Sequence, residues 1–145
     1  SLVGSEMCIR DSRDRIREAG FPMEDLVVAE TFNDYETTFR VVTEAIDRYP
    51  RLRGIYMANL SVSGCAAAIE QAGKKGAIRL ICHDLNESVR QLLLRGSIDF
   101  TIPQNLRQQG YGPLILLRDV LRRKAAPDAA RFNRQIDIVC SDNLP

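Results

Sequence analysis

The 145 residues contain no tryptophan and a single histidine, and aromatic side chains make up only 6% of them. The four cysteines, Cys8, Cys65, Cys82 and Cys140, are never spaced as Cys-x-x-Cys, so with one histidine the sequence holds no zinc-ligand pattern. They read instead as small buried thiols, which suits a reducing compartment. Charge of one sign is also lacking: 20 basic residues face 19 acidic ones, for a net charge of +1. That leaves no electrostatic footprint for holding a polyanion, and any contact with nucleic acid would have to come from another segment. No apolar run approaches the roughly 18 residues that cross a bilayer, and the stretch from Leu114 to Leu117 stops at Arg118. No glycine-rich loop follows an expected strand, so there is no seat for a nucleotide phosphate. Internal repeats and low-complexity tracts are missing too.

What is present is 45% hydrophobic and 27% charged residues, the make-up of one ordinary domain that can bury a core. Past the first dozen residues, short β-branched runs alternate with longer stretches of helical period, the pattern of βα units on a parallel sheet. Residues 13–19 read as the end of a helix closed by Gly20, with Pro22 barring its continuation. A strand is expected over 26–30. Asn33 or Asp34 can cap the next helix, in which Phe39, Val42, Ile46 and Tyr49 form one apolar face until Pro50 stops it. Residues 54–58 are the second strand. Ser61 or Ser63 then opens a helix whose Val62, Cys65, Ala66 and Ile69 face inward, its small residues permitting close approach to the sheet, and Gly73 ends it. The third strand, 78–82, is nearly all apolar, as a strand covered on both faces should be. A short helix over 87–95 carries Val89, Leu92 and Leu93 inward, Gly96 ends it, and a fourth strand over 98–102 is closed by Pro103. A last helix, about 106–123, has Leu106, Gly110, Leu114, Leu117 and Leu121 on one side, and its Pro113 is tolerated only in a first turn or at a kink. Residues 125–130 read as a loop and 135–140 as a final strand. The economical architecture is α/β, an open, doubly wound parallel sheet.

In such sheets ligands bind beyond the carboxyl ends of the strands. The residues there are Asn33, Asp34 and Tyr35 after the first strand, Asn59 after the second, Asp84 after the third and Gln104 after the fourth. Amides and carboxylates that donate and accept in fixed directions, beside an aromatic face, suit a polyhydroxylated small molecule. Plainer roles compete. Loop positions are polar in any protein, Asp84 can cap the helix that starts near Asn86, and Gln104 can satisfy backbone at a crossover. The Cys82-His83-Asp84 run sets a thiol beside a base, but neighbouring strand residues point to opposite faces, so no catalytic pair is expected. Neither enzymatic activity nor a cofactor is expected.

Three motifs recur in a telling order: Gly54-Ile-Tyr-Met-Ala-Asn59 with Ser63-Gly64 and an alanine-rich helix behind it, Ile78-Arg-Leu-Ile-Cys-His-Asp84, and Leu94-Arg-Gly-Ser-Ile-Asp-Phe-Thr-Ile-Pro-Gln104 followed by Gln109-Gly110-Tyr111. With them the chain from Arg15 to Pro145 resembles the C-terminal half of the type I periplasmic-binding-protein fold. That fold serves sugar-responsive regulators of the lactose-repressor (LacI) family and the sugar-binding proteins of transporters. The resemblance implies that Asn59, Asp84 and Gln104 hydrogen-bond ligand hydroxyls, and that Tyr35 flanks the sugar ring.

It also implies an organisation. Residues 1–12 match no part of the family, lack the order of a secretory signal and read as a non-native leader. Residues 13–104 form mostly the C-terminal lobe, 105–131 a helix belonging to the N-terminal lobe, and 132–145 a return strand and tail. The strands of the N-terminal lobe and an arginine ahead of the first helix would then lie outside the chain, leaving the apolar face of the last helix exposed unless something covers it. The expected function is the sugar- or polyol-binding effector domain of a cytoplasmic LacI-type regulator, a homodimer with no membrane contact that reaches DNA only through an N-terminal domain outside this chain. Ligand-driven lobe closure would shift the dimer between its states. The tail from Ile136 to Asn143 resembles the final strand of such regulators. The alternative is the solute-binding protein of a sugar ABC transporter, in which free cysteines would meet an oxidising compartment.

Overall fold

The computed structural model describes residues 2–104, 106–122 and 137–145. Helix α1 (Leu2–Glu18) comes first, running unbroken through the stretch expected as a leader. It closes on Gly20, which takes a positive φ, as the sequence led one to expect. Asp34 starts the next helix. Its carboxylate accepts from the Thr37 backbone N–H at 2.7 Å and so caps α2 (Tyr35–Arg48). Hydrogen bonds from the Thr37 backbone and hydroxyl hold the Asp34 carboxyl below its ordinary pKa of 3.8. Asn33, the other capping candidate, instead accepts from the Leu60 N–H at 3.0 Å.

The inward face of α2 is Thr38, Val42 and Ile46, with Phe39 packed at its edge and Tyr49 left as the C-cap. Thr38 joins this face because α2 meets a second helix, α3 (Val62–Gln71), at close range. A Cβ at Gly64 would lie 2.7 Å from the Tyr35 carbonyl oxygen and 3.3 Å from the Thr38 Cβ. The small residue therefore serves helix-to-helix contact, not the helix-to-sheet approach expected of it.

Three strands, β1 (Gly54–Met57), β2 (Arg79–His83) and β3 (Phe100–Ile102), run parallel in the order β1-β2-β3. Met57 lies opposite Cys82, and Cys82 opposite Thr101. The crossovers are α3 and α4 (Glu87–Leu94), which touch each other. Both step in the same direction across the sheet, and right-handed crossovers then put both helices on one face. Side chains alternate along a strand. Met57, Leu80, Cys82 and Thr101 are thus buried together, with Val62, Cys65, Ala66, Ile69, Val89, Leu92 and Leu93 in the same core. Leu80, with no exposure, stabilises by about 1.5 to 3 kcal/mol relative to an exposed position. Tyr56, Ile81, His83 and Ile102 face the other way and are half-buried or exposed. β2 consequently alternates, where its apolar composition had suggested cover on both sides. Gly73 and Gly96 end α3 and α4 in the left-handed conformation, with Lys74 N–H bonded to Ile69 and Ser97 N–H to Leu92 as in a Schellman cap.

Three expectations change. Residues 26–30 follow a short 3-10 turn (Met23–Asp25) and form no strand; Val27 and Val28 stay exposed. β-branched composition needs a neighbouring strand to take up its N–H and C=O groups, and none of the described strands lies beside this segment. The fourth strand starts at Phe100 and not at Ile98, because the Asp99 carboxylate accepts from the Leu80 N–H and the Arg79 guanidinium in a side-chain link. Of the expected final strand, 135 and 136 lie outside the described residues, and the rest makes one antiparallel bridge, Val139 to Thr101. Asn143 ends it there, accepting from the Cys140 N–H and donating to the Ile138 carbonyl. The last helix, α5 (Leu106–Leu121), exposes Leu114, Leu117 and Leu121 as its pattern implied, with Pro113 beyond its first turn. The expected loop at 125–130 lies outside the described residues.

Candidate functional site

Parallel pairing in register delivers the residues after all three strands to a single edge of the sheet. Because β2 is central, Asp84 stands between Asn59, which follows β1, and Gln104, which follows β3. The structure thus brings three of the four anticipated residues to one rim.

Asp84 is half-buried. Its carboxylate has no hydrogen-bond or ion-pair partner among the described residues, none of which therefore takes up its acceptor capacity. The capping role open to it falls to Asn86, whose side chain accepts from the Val89 N–H at 2.9 Å. Asp84 itself adopts φ +66, a region where non-glycine residues are uncommon. Gln104 is exposed and bonds no described backbone group. It lines an open depression of about 500 Å³ with Leu85, Pro103, Asp137, Ile138 and Asn143.

Asn59 is committed differently. Its amide donates to the Thr31 hydroxyl at 2.6 Å and accepts from the Ser61 N–H at 3.1 Å. Together with the bond from Leu60 to Asn33, this ties the segment before α2 to the loop after β1. One amide N–H and one oxygen lone pair of Asn59 remain for other partners. The tie carries Tyr35 to the same end of the molecule, where its ring stacks on Phe39 at 6.4 Å between centroids. Phe32, which sequence reading passed over, lies in this loop with φ +51 and is 75% exposed. Phe32, Asn33 and Asp84 are the positive-φ non-glycine residues among those described, and all three are at the rim. A signal existed for Phe32, an aromatic beside the Asn-Asp turn, but its exposure could not be read from spacing.

Cys82 and His83 diverge as the strand geometry demands. Cys82 is buried, and desolvation pushes its thiol pKa up; burial takes Cys65 to about 12. Neither thiol is a nucleophile at neutral pH. His83 is half-buried at the strand end, and its Nε2 pairs with the Tyr56 hydroxyl on the opposite face of the sheet. Among the described residues no group of histidine, cysteine and carboxylate side chains could hold a metal ion, and no helix is long and apolar enough to cross a membrane.

An open parallel sheet with polar residues gathered at its carboxyl edge is an α/β fold of the kind that binds ligands there. The chain belongs to the periplasmic binding protein domain family, whose sequence model matches residues 11–125. No curated protein matches it. Among solved structures it is similar to a glucose-galactose binding protein from Geobacillus stearothermophilus, at 18% identity over 80% of this chain and 41% of that one, with a TM-score of 0.67. The sugar-binding protein of a sugar ABC transporter from Bacillus halodurans gives 22% identity, 78% and 43% coverage and 0.67. An ABC transporter solute binding protein from Agrobacterium vitis with bound α-D-tagatopyranose gives 28%, 81%, 39% and 0.65. The chain spans about two-fifths of the length of these proteins. They support the type I fold and not the LacI family: neither the matching model nor these structures is described as a transcription regulator.

Proposed function

We propose that the chain is the sugar-binding lobe of a solute-binding protein that serves a sugar ABC transporter, with Asp84 as the central ligand residue. The observation that carries this reading is the Asp84 carboxylate at the middle of the carboxyl rim, between Asn59 and Gln104, with no partner among the described residues. A carboxylate that accepts from two vicinal hydroxyls makes charge-assisted bonds, and amides on either side add direction. The exposed ring of Phe32 and that of Tyr35 offer apolar faces for a pyranose to stack on. The names of the similar structures favour this alternative over the effector domain of a LacI-type regulator. The homodimer, the DNA contact through another domain and the cytoplasmic placement belong to the regulator reading and are set aside with it. Delivery to a transporter implies work outside the cytoplasm and binding without chemical change.

The test is a calorimetric titration of the full-length protein with glucose, galactose, arabinose, fucose and tagatose, sugars in the names of similar structures. Binding of at least one is expected, and Asp84→Ala should weaken it by roughly 1.5 to 3 kcal/mol, the worth of bonds to a charged group. An affinity unchanged in Asp84→Ala would remove that residue from the site. Binding that is instead coupled to release from an operator DNA would return the regulator.

A further inference from the structure

Thr101 is wholly buried yet polar, and its polar atoms serve the rim. Its hydroxyl donates to the Asp84 carbonyl at 2.5 Å and lies 3.2 Å from the Cys82 carbonyl. The Asp84 N–H donates to the next carbonyl along β3, that of Ile102, at 3.1 Å. Asp84 is therefore bonded through both of its backbone polar groups to two consecutive residues of one strand. That clamp explains how a non-glycine residue keeps φ +66, since such a conformation persists only where its surroundings over-determine it. The same clamp fixes where the Asp84 carboxylate points, because that side chain has no described partner of its own.

Thr101 is in turn held from its other side. Its backbone N–H donates to the Val139 carbonyl at 2.8 Å, and its carbonyl accepts from the Val139 N–H at 2.9 Å. Val139 is buried. The segment around it is tied down by the Asn143 bonds to Cys140 and Ile138 and by Arg90 of α4, which donates to the Pro145 carbonyl. Segment 137–145 thus runs antiparallel beside β3 at Val139 and lines, with Gln104, the depression at the rim.

We propose that Thr101 is a positioning residue for the Asp84 carboxylate, and that the bridge from Val139 makes segment 137–145 part of the device that sets sugar affinity. The inference rests on the reading of Asp84 as a ligand residue. Without the hydroxyl, the Asp84 carbonyl loses its partner, the left-handed conformation is released and the carboxylate leaves its place between Asn59 and Gln104.

Thr101→Val keeps the shape and removes the hydroxyl, whereas Thr101→Ser keeps the hydroxyl. In the full-length protein, titrated with the same five sugars, Thr101→Val should weaken binding roughly tenfold, as the loss of one charge-assisted bond between the displaced Asp84 carboxylate and the sugar does. Thr101→Ser should restore it. The backbone NMR shifts of Asp84, read without sugar, should leave the left-handed range in the valine variant and stay there in the serine variant. A merely structural Thr101 would lower the melting temperature and move neither readout. Where the valine variant does not fold, Val139→Pro breaks the bridge from the tail side and should produce the same loss. A folded Thr101→Val with unchanged affinity and unchanged Asp84 shifts, alongside a weakened Asp84→Ala, overturns the role of Thr101 and leaves the site standing. Absence of sugar binding in the unaltered protein, or an Asp84→Ala of full affinity, overturns the site and the affinity half of the inference with it, while the Asp84 shifts still decide whether Thr101 holds that backbone.

Discussion

Thr38 has no exposure, and its hydroxyl has no hydrogen-bond partner among the described residues. A buried hydroxyl without a partner costs about 1 to 3 kcal/mol. Replacing it by a methyl of similar shape should therefore help: Thr38→Val is expected to raise unfolding stability by about 1 kcal/mol, read from the midpoint of a urea melt, and a lower midpoint would reveal a partner for the hydroxyl. Asp34 makes the opposite case. Its folded pKa is depressed below the ordinary 3.8, so the stability it adds is present above that value and is lost as pH falls through the folded pKa. Asp34→Ala should melt at a lower temperature than the parent at pH 7, and the gap should close in melts run well below pH 3.8; a gap that persists there would mean that charge is not the cause. The cap at Asp34 was legible because it depends on three consecutive neighbours. The orphaned hydroxyl was not, because it arises from a second helix about twenty-five residues on in the sequence.

That second helix shows what an element can and cannot announce. The inward faces of α3 and α4, and Val42 and Ile46 of α2, followed from spacing, and Gly73 and Gly96 ended their helices as expected, since both features lie within a few turns of one helix. The partner of Gly64 did not follow. Its missing side chain admits the Tyr35 carbonyl, a backbone atom that cannot yield, so Gly64→Ala should cost about 1 to 3 kcal/mol by overpacking. A thermal melt of that variant checks the figure, and an unchanged melting temperature would show that α2 and α3 can separate freely. Strands fared worse than helices for a physical reason. A helix closes its hydrogen bonds within itself, whereas a strand exists only where another strand accepts its backbone groups. Val27 and Val28 have the composition of a strand, and none of the described strands lies beside them to make them one.

At the scale of the molecule, parallel order converts a list of polar residues into a candidate site. Asn59, Asp84 and Gln104 lie far apart in the chain, and the shared direction of β1, β2 and β3 puts them on one edge. The rule that ligands gather at such edges made this much readable before any coordinates. Which of the three is free for a ligand was not readable. Asn59 has taken up a structural task with Thr31 and Ser61, Asp84 has been relieved of one by Asn86, and Thr101, present in the third motif but given no role there, carries the backbone of Asp84.

By itself the sequence determined the α/β class, the inward faces of α3 and α4 and the residues that follow each strand, because these depend on periodicity and on interactions among near neighbours. Only the tertiary structure decided how close α2 stands to α3, which apolar run finds a strand partner and whose side chain at the rim keeps its acceptors open. Those outcomes are contacts between distant segments, and a hydrogen-bonding group in such a contact is committed or free only once its partner has arrived.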